Sequence, residues 1–219
     1  MKFRRLLVVA AALLAGCTII EPSQLTEAVA AQLRGQAVAI VIQAPPTFGA
    51  MKRGDVALGP LGIVLMAEQG ERLRKQSGIQ DPASDIATAL GDVLAGRHGA
   101  VMLPDIGRAR DDGIATLVAA APPGARYVLA VGTLQWAIAR IPVPHAPYNV
   151  QYLARARLVD VRTSAVVAEG GCLQMPDGTE VESEDYARFT ANDAELVKTE
   201  LARRVDRCLH VIQRDMLGG

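Results

Sequence analysis

Aromatic side chains are scarce in this chain of 219 residues, which has one Trp, three Phe and four Tyr. Its core must therefore be built from Ala, Val, Leu and Ile. These are plentiful, since 50% of the chain is hydrophobic, and the length suffices for one good-sized domain. Charge of one sign is also missing: 23 basic residues face 23 acidic ones, which leaves no basic footprint for nucleic acid. Lys2, Arg4 and Arg5 stand at the very start, so the rest of the chain is slightly acidic. Histidine occurs only at His98, His145 and His210, far apart and without carboxylates at ligand or triad spacing. No nucleophile elbow, phosphate-binding glycine loop or zinc-protease motif is present. The expectation is a protein that is not an enzyme, with no catalytic residue, no metal and no cofactor.

What is present begins at the first residues. Lys2, Arg4 and Arg5 precede an apolar run over residues 6–16, about half the ~20 residues that a bilayer-crossing helix needs. A positive start, a short apolar middle and small residues before a cut make a secretory signal peptide. The run closes on Leu14-Ala15-Gly16-Cys17, which resembles the lipobox of bacterial lipoproteins. That resemblance implies cleavage after residue 16 and acylation of Cys17, which would hold the chain on membrane lipid. Thr18, not aspartate, follows the cysteine; by the usual sorting rule this implies the outer membrane, on its periplasmic face. Residues 17–22 are then anchor and tether, reaching at most about 18 Å, and residues 23–219 form one domain.

With Cys17 acylated, Cys172 and Cys208 remain as a pair in an oxidising compartment. A Cys172–Cys208 disulfide is expected, closing a loop of about 36 residues; two buried free thiols are the alternative.

The domain reads in order as follows. Residues 23–34 form a helix capped by Ser23 and stopped by Gly35. The β-branched run 37–43 has the look of a strand buried on both faces. A glycine-rich loop carries Phe48 and Met51, a secondary contact candidate. Residues 60–76 read as a helix, although 61–66 also suits a strand. A helix starts at Asp81-Pro82 and ends at Gly96, followed by a short strand over 100–103 and a loop over 104–110. Asp111-Asp112 opens another helix. Residues 126–141, 150–161 and 165–173 alternate with a period of two and form an antiparallel meander. In the first of these strands Trp136 falls on the face opposite Tyr127, Leu129 and Val131. The last helix spans 192–217, with Asn192 and Glu195 as a capping box. Its stripe of Val197, Leu201, Val205, Cys208, Ile212 and Met216 faces inward. Glu180, Glu182, Glu184 and Asp185 form an acidic loop, read as a solvated connection. The fold class is α+β: a mixed sheet of about five strands with helices packed on it.

The stretch from 112 to 170 carries a further resemblance. Its core is Gly124-Ala-Arg-Tyr-Val-Leu-Ala-Val-Gly132, then Tyr152-Leu-Ala-Arg-Ala-Arg-Leu-Val-Asp-Val-Arg-Thr163 and Ala165-Val-Val-Ala-Glu169. It is similar to the fold family of the curli secretion lipoprotein, the lipoprotein activators of penicillin-binding proteins and the amino-terminal domain of the Tol translocation protein. Asp160 and Thr163 match that family's turn, while Ser164 replaces the usual glycine and Arg126 the usual aspartate. The resemblance implies a non-enzymatic envelope protein that works by contact. The short tether departs from the activators, which carry a long one.

Between the first two meander strands lies Ile141-Pro-Val-Pro-His-Ala-Pro-Tyr148, an apolar tip rigidified by three prolines. Exposed apolar groups of this kind mark contact sites. Ile141, Val143, His145 and Tyr148 are therefore the candidate partner-binding residues, for an envelope protein, a second copy or the lipid surface. Proline also protects sheet edges, so a tip folded back over the sheet is the competing reading. The functional expectation is an outer-membrane lipoprotein that scaffolds or regulates an envelope complex. The alternative is a lipoprotein that carries a small apolar ligand between sheet and helices.

Overall fold

The computed structural model describes residues 20–140, 146–173, 182 and 185–218. Cys17, Ile141, Val143, His145, Glu180 and Glu184 lie outside these residues.

Seven consecutive residues rich in Val and Ile make β1 (Ala37–Gln43), as their pattern predicts. β1 lies inside a mixed sheet of order β3-β1-β4-β5-β6, with β3 (Val101–Ala109), β4 (Tyr127–Arg140), β5 (Tyr148–Asp160) and β6 (Ala165–Leu173). A two-residue strand, β2 (Gly49–Ala50), pairs with β4 and brings the number to six. β3, β1 and β4 run parallel, and β4, β5 and β6 form the expected meander.

Helices α2 (Pro60–Ser77), α3 (Ala83–His98) and α6 (Glu195–Leu217) cover one face, and α4 (Ile114–Ala119) covers part of the other. The apolar stripe of α6 packs as its spacing predicts. Gly170 in β6 permits the approach, because a Cβ there would stand 3.1 Å from the Ile212 carbonyl oxygen and from the Met216 Cβ. Cys172 and Cys208 form the disulfide, with their Cα atoms 5.2 Å apart, and so tie β6 covalently to α6.

Several expectations change. β4 carries one extra residue, because Thr133 pairs with Ala154 but Gln135 with Leu153. A bulge at Leu134 reverses the alternation. Trp136 and Ile138 thereby join Tyr127, Leu129 and Val131 on the helix-covered face. β3 continues through Pro104 instead of ending at residue 103. Proline is tolerated there because β3 is an edge strand and its register against β1 shifts between Val38 and Ile40. Thr26, not Ser23, caps α1 (Glu27–Leu33); Ser23 forms a bridge with Glu169 of β6 instead. Helix α3 runs on to His98, and left-handed Gly99 stops it. The capping box at Asn192 does not form: Asn192, Asp193 and Ala194 all take positive φ, in a left-handed turn before α6. A short helix, α5 (Tyr186–Thr190), is capped by Asp185, one member of the acidic loop.

The turn between β5 and β6 is held by Asp160, whose Oδ1 accepts from the backbone N–H groups of Arg162 (2.8 Å) and Thr163 (3.2 Å). The Arg126 guanidinium donates to the same carboxylate and lowers its pKa. Ser164 sits there at φ 55°, where glycine carries no Cβ penalty.

Ser164→Gly should therefore raise unfolding stability by about 1 kcal/mol, read from a urea midpoint at unchanged slope. Replacing Cys172 and Cys208 by Ala should lower it by about 3–4 kcal/mol on the chain-entropy account, and reductant should have no further effect on that variant.

Candidate functional site

The β1–α2–α3–β3 crossover lies on one face of the sheet and the β3–α4–β4 crossover on the other. The carboxyl ends of neighbouring β1 and β3 thus send their chains to opposite faces, the arrangement that opens a crevice in α/β sheets. A cleft of about 510 Å³ stands there, lined among others by Ile42, Arg74, Asp81, Ile106, Arg108 and Trp136. Arg74 donates two hydrogen bonds of 2.8 Å to Glu71, and that pairing holds the Glu71 carboxyl down to about 2. The Trp136 indole N–H donates to the Pro46 carbonyl (2.7 Å) and fixes the rim. The lining is mixed: guanidinium and carboxylate groups stand beside apolar side chains.

Asp81 links this cleft to the sheet. Its Oδ1 accepts from the Thr133 hydroxyl and from the Ala83 N–H, and Tyr152 completes the chain at 3.1 Å from Thr133 Oγ1. Burial pushes the Asp81 pKa up, opposed by the hydrogen bonds from Thr133 and Ala83. A second charged group lies on the opposite face, where Arg155 and Arg157 of β5 are almost wholly buried. Arg155 pairs with Asp112, and Arg157 donates to the Asp112 carbonyl. The helix expected to open at Asp111-Asp112 starts later, at Ile114, with Gly113 as its N-cap; Asp111 Oδ1 accepts from the Gly113 N–H at 3.0 Å.

Of the tip residues, Tyr148 is described, and it does not present a contact. It is 2% exposed within β5, and its ring meets Tyr186 edge-on at 5.6 Å. Tyr148 supports the base of the tip. Phe48 is likewise core, fully buried and edge-on to Trp136 at 5.1 Å, so the second contact candidate is withdrawn. His98 ends α3 and exposed His210 lies on α6. No group of three or more metal-binding side chains occurs among the described residues.

The exposed apolar surface lies elsewhere. Leu58 (48% exposed), Leu61 (59%), Ile63 (65%) and Val64 (57%) crowd the 3₁₀ turn Asp55–Leu58 and the start of α2. Sequence reading missed this face because a helix that begins apolar and ends charged looks like a core helix. Val101 and Ile106 of the β3 edge are about half exposed. No helix among the described residues is long and apolar enough to cross a membrane.

No protein-family model matches the chain. No curated protein matches it either. Among solved structures it is similar to the PelC dodecamer from Paraburkholderia phytofirmans, at 16% identity over 82% of this chain and 94% of that one, with a TM-score of 0.27. A neuraminyllactose-binding hemagglutinin homolog from Helicobacter pylori gives 11% identity, 80% and 88% coverage and a TM-score of 0.28. Lipoprotein GNA1162 from Neisseria meningitidis gives 16% identity, 77% and 96% coverage and a TM-score of 0.24. Likenesses this slight carry no activity to this chain.

Raised by burial, Asp81 binds its proton more tightly in the folded state. The stability this contributes is complete below the ordinary carboxylate pKa and is lost as pH rises through the elevated folded value. Asp81→Asn keeps an acceptor for Thr133 and Ala83 and should abolish that loss. Its thermal midpoint should match the wild type near pH 3.5 and exceed it at pH 7.

Proposed function

We propose that this chain is an outer-membrane lipoprotein, anchored through acylated Cys17, whose domain acts by contact as a non-enzymatic scaffold or regulator of an envelope complex. The observation that carries the reading is the buried Cys172–Cys208 disulfide. A covalent tie of that kind belongs to a chain that matures in an oxidising compartment, the destination that the lipobox sequence implies. Contact as the mode of action is supported by the β3 edge, where Val101 and Ile106 of the outermost strand are half exposed. The family resemblance around Asp160 and Thr163 points the same way. The partner sites are the β3 edge and the tip residues Ile141, Val143 and His145, and the partner is an envelope protein or a second copy.

A second reading has its own observation. The cleft at the carboxyl ends of β1 and β3, with Arg74 and Arg108 in its wall, suits a small polar ligand. A molecule that co-purifies with the wild type and is lost from Arg108→Glu, seen by native mass spectrometry, would favour it.

Crosslinking in intact cells from photoreactive residues placed at 145 and at 106 tests the first reading. One protein adduct, or a self-adduct, is the expected result. Deleting residues 142–147 should abolish the adduct formed from 106 if both surfaces serve one complex, with thermal stability unchanged. Absence of any adduct from both positions would defeat the scaffold reading.

A further inference from the structure

The exposed apolar face at the start of α2 has no explanation in the fold. From residue 56 to residue 67 the chain carries no charged side chain. Four large apolar side chains of this region, Leu58, Leu61, Ile63 and Val64, stand in solvent. Exposed Lys52 and Arg53 lie just before it in the chain. Apolar side chains beside basic ones describe a surface that lies in the interface of an anionic membrane.

The course of the backbone places this face. β2 runs parallel to β4, with Gly49 opposite Ala137 and Ala50 opposite Ile138. The chain therefore leaves β2 toward the end of the sheet where β4 gives way to the hairpin tip. α2 then returns from that end, with Gly62 packed on Asp55 and Gly70 packed on Phe48. Its first turns thus stand at the tip end.

The amino-terminal chain points to the same end. Ser23 bridges Glu169 in the antiparallel sense, through Ser23 N–H to Glu169 O at 2.8 Å and Glu169 N–H to Ser23 O at 2.9 Å. β6 runs antiparallel to β5 and so heads for the tip end. The residues before Ser23 therefore lead that way, and Ile20 already lies against Gly171, two residues further along β6. Cys17 is three residues earlier, a reach of about 10 Å at most.

We infer that the tip end of the sheet is the membrane-facing end, and that Leu58, Leu61, Ile63 and Val64 seat on the lipid surface beside the acyl anchor, with Lys52 and Arg53 facing anionic headgroups. The inference rests on the lipoprotein reading and adds an orientation to it: the first turns of α2 meet the bilayer, and the Arg162–Ser164 turn points away.

The test uses the full acylated chain, purified from membranes and reconstituted in phosphatidylethanolamine–phosphatidylglycerol vesicles. With Cys17 acylated and Cys172 bonded to Cys208, Ile63→Cys supplies one free thiol for an environment-sensitive fluorophore. Thr163→Cys does the same at the far end. The expected result is a blue shift at 63 with loss of emission when the lipids carry headgroup nitroxides, and neither change at 163. Leu61→Glu with Val64→Glu should remove the quenching at 63 while the protein still floats with vesicles. Flotation without quenching at 63 would overturn the orientation and leave the anchor standing. Energy transfer between labels at 63 without quenching would mean that a second copy covers the face, which also overturns it. Free, unacylated Cys17 by mass spectrometry with no flotation would overturn the anchor reading and this inference together.

Discussion

One inserted residue in β4 decides how the sheet is used. Up to Thr133 the odd-numbered residues of that strand face α3 and α6; beyond the bulge at Leu134 the even-numbered ones do. Trp136 and Ile138 therefore turn inward against Tyr152 and Val150 of β5. The Trp136 ring then receives Phe48 edge-on, its N–H holds Pro46, and β2 is brought onto β4 beside it. Without the reversal the indole would lie on the opposite face, and the segment that leads into α2 would lose the ring contact of Phe48 and the hydrogen bond at Pro46. The chain has one Trp, and this contact is where it is used.

The two faces of the sheet are stabilised by different physics. The helix-covered face is largely aliphatic, with Trp136, Tyr148 and Tyr152 toward the tip, and the disulfide closes its β6 edge. The other face has a small apolar cluster under α4, around Val41, Leu117, Val128 and Val159. Beside it lie the buried guanidinium groups of Arg155 and Arg157, which donate through Nη2 to the Asp112 carboxylate and carbonyl while their Nε–H groups are left without a partner among the described residues. Removing one partner from such a set would leave a buried charge uncompensated, a larger loss than the pair itself contributes. Asp112, although as exposed as its neighbour Asp111, therefore matters more to the fold, because the charges it pairs with are buried.

Much of this architecture is legible in the sequence. β1 and β6 fall on the predicted residues, and the meander, the α6 stripe and the cysteine pair all stand. These signals are local periods or simple parity. What was not legible depends on partners distant in sequence. A bulge such as that at Leu134 is fixed by the opposing strand and leaves no mark in the alternation of β4 itself. Pro104 reads as a strand breaker until β3 is known to be an edge. Asn192 followed by Glu195 has the letters of a capping box, but the chain makes a left-handed turn there and Ala194 is buried. Phe48 and Tyr148 look like exposed aromatics in loops, and each is instead matched to a ring far away in the chain, Trp136 and Tyr186. The cleft is formed by strand order, which no single stretch encodes.

The bridge between Ser23 and Glu169 also has a mechanical meaning. The entering chain lies along β6 and antiparallel to it, and Leu25 N–H then bonds the Met216 carbonyl at the end of α6. A pull on the chain ahead of Ile20 is directed along the strand, so these bonds are loaded together in shear and do not open one after another. The load passes at once to the sheet edge and to the last helix, which the disulfide already joins. The domain is gripped at the point where any tension from its amino terminus would arrive.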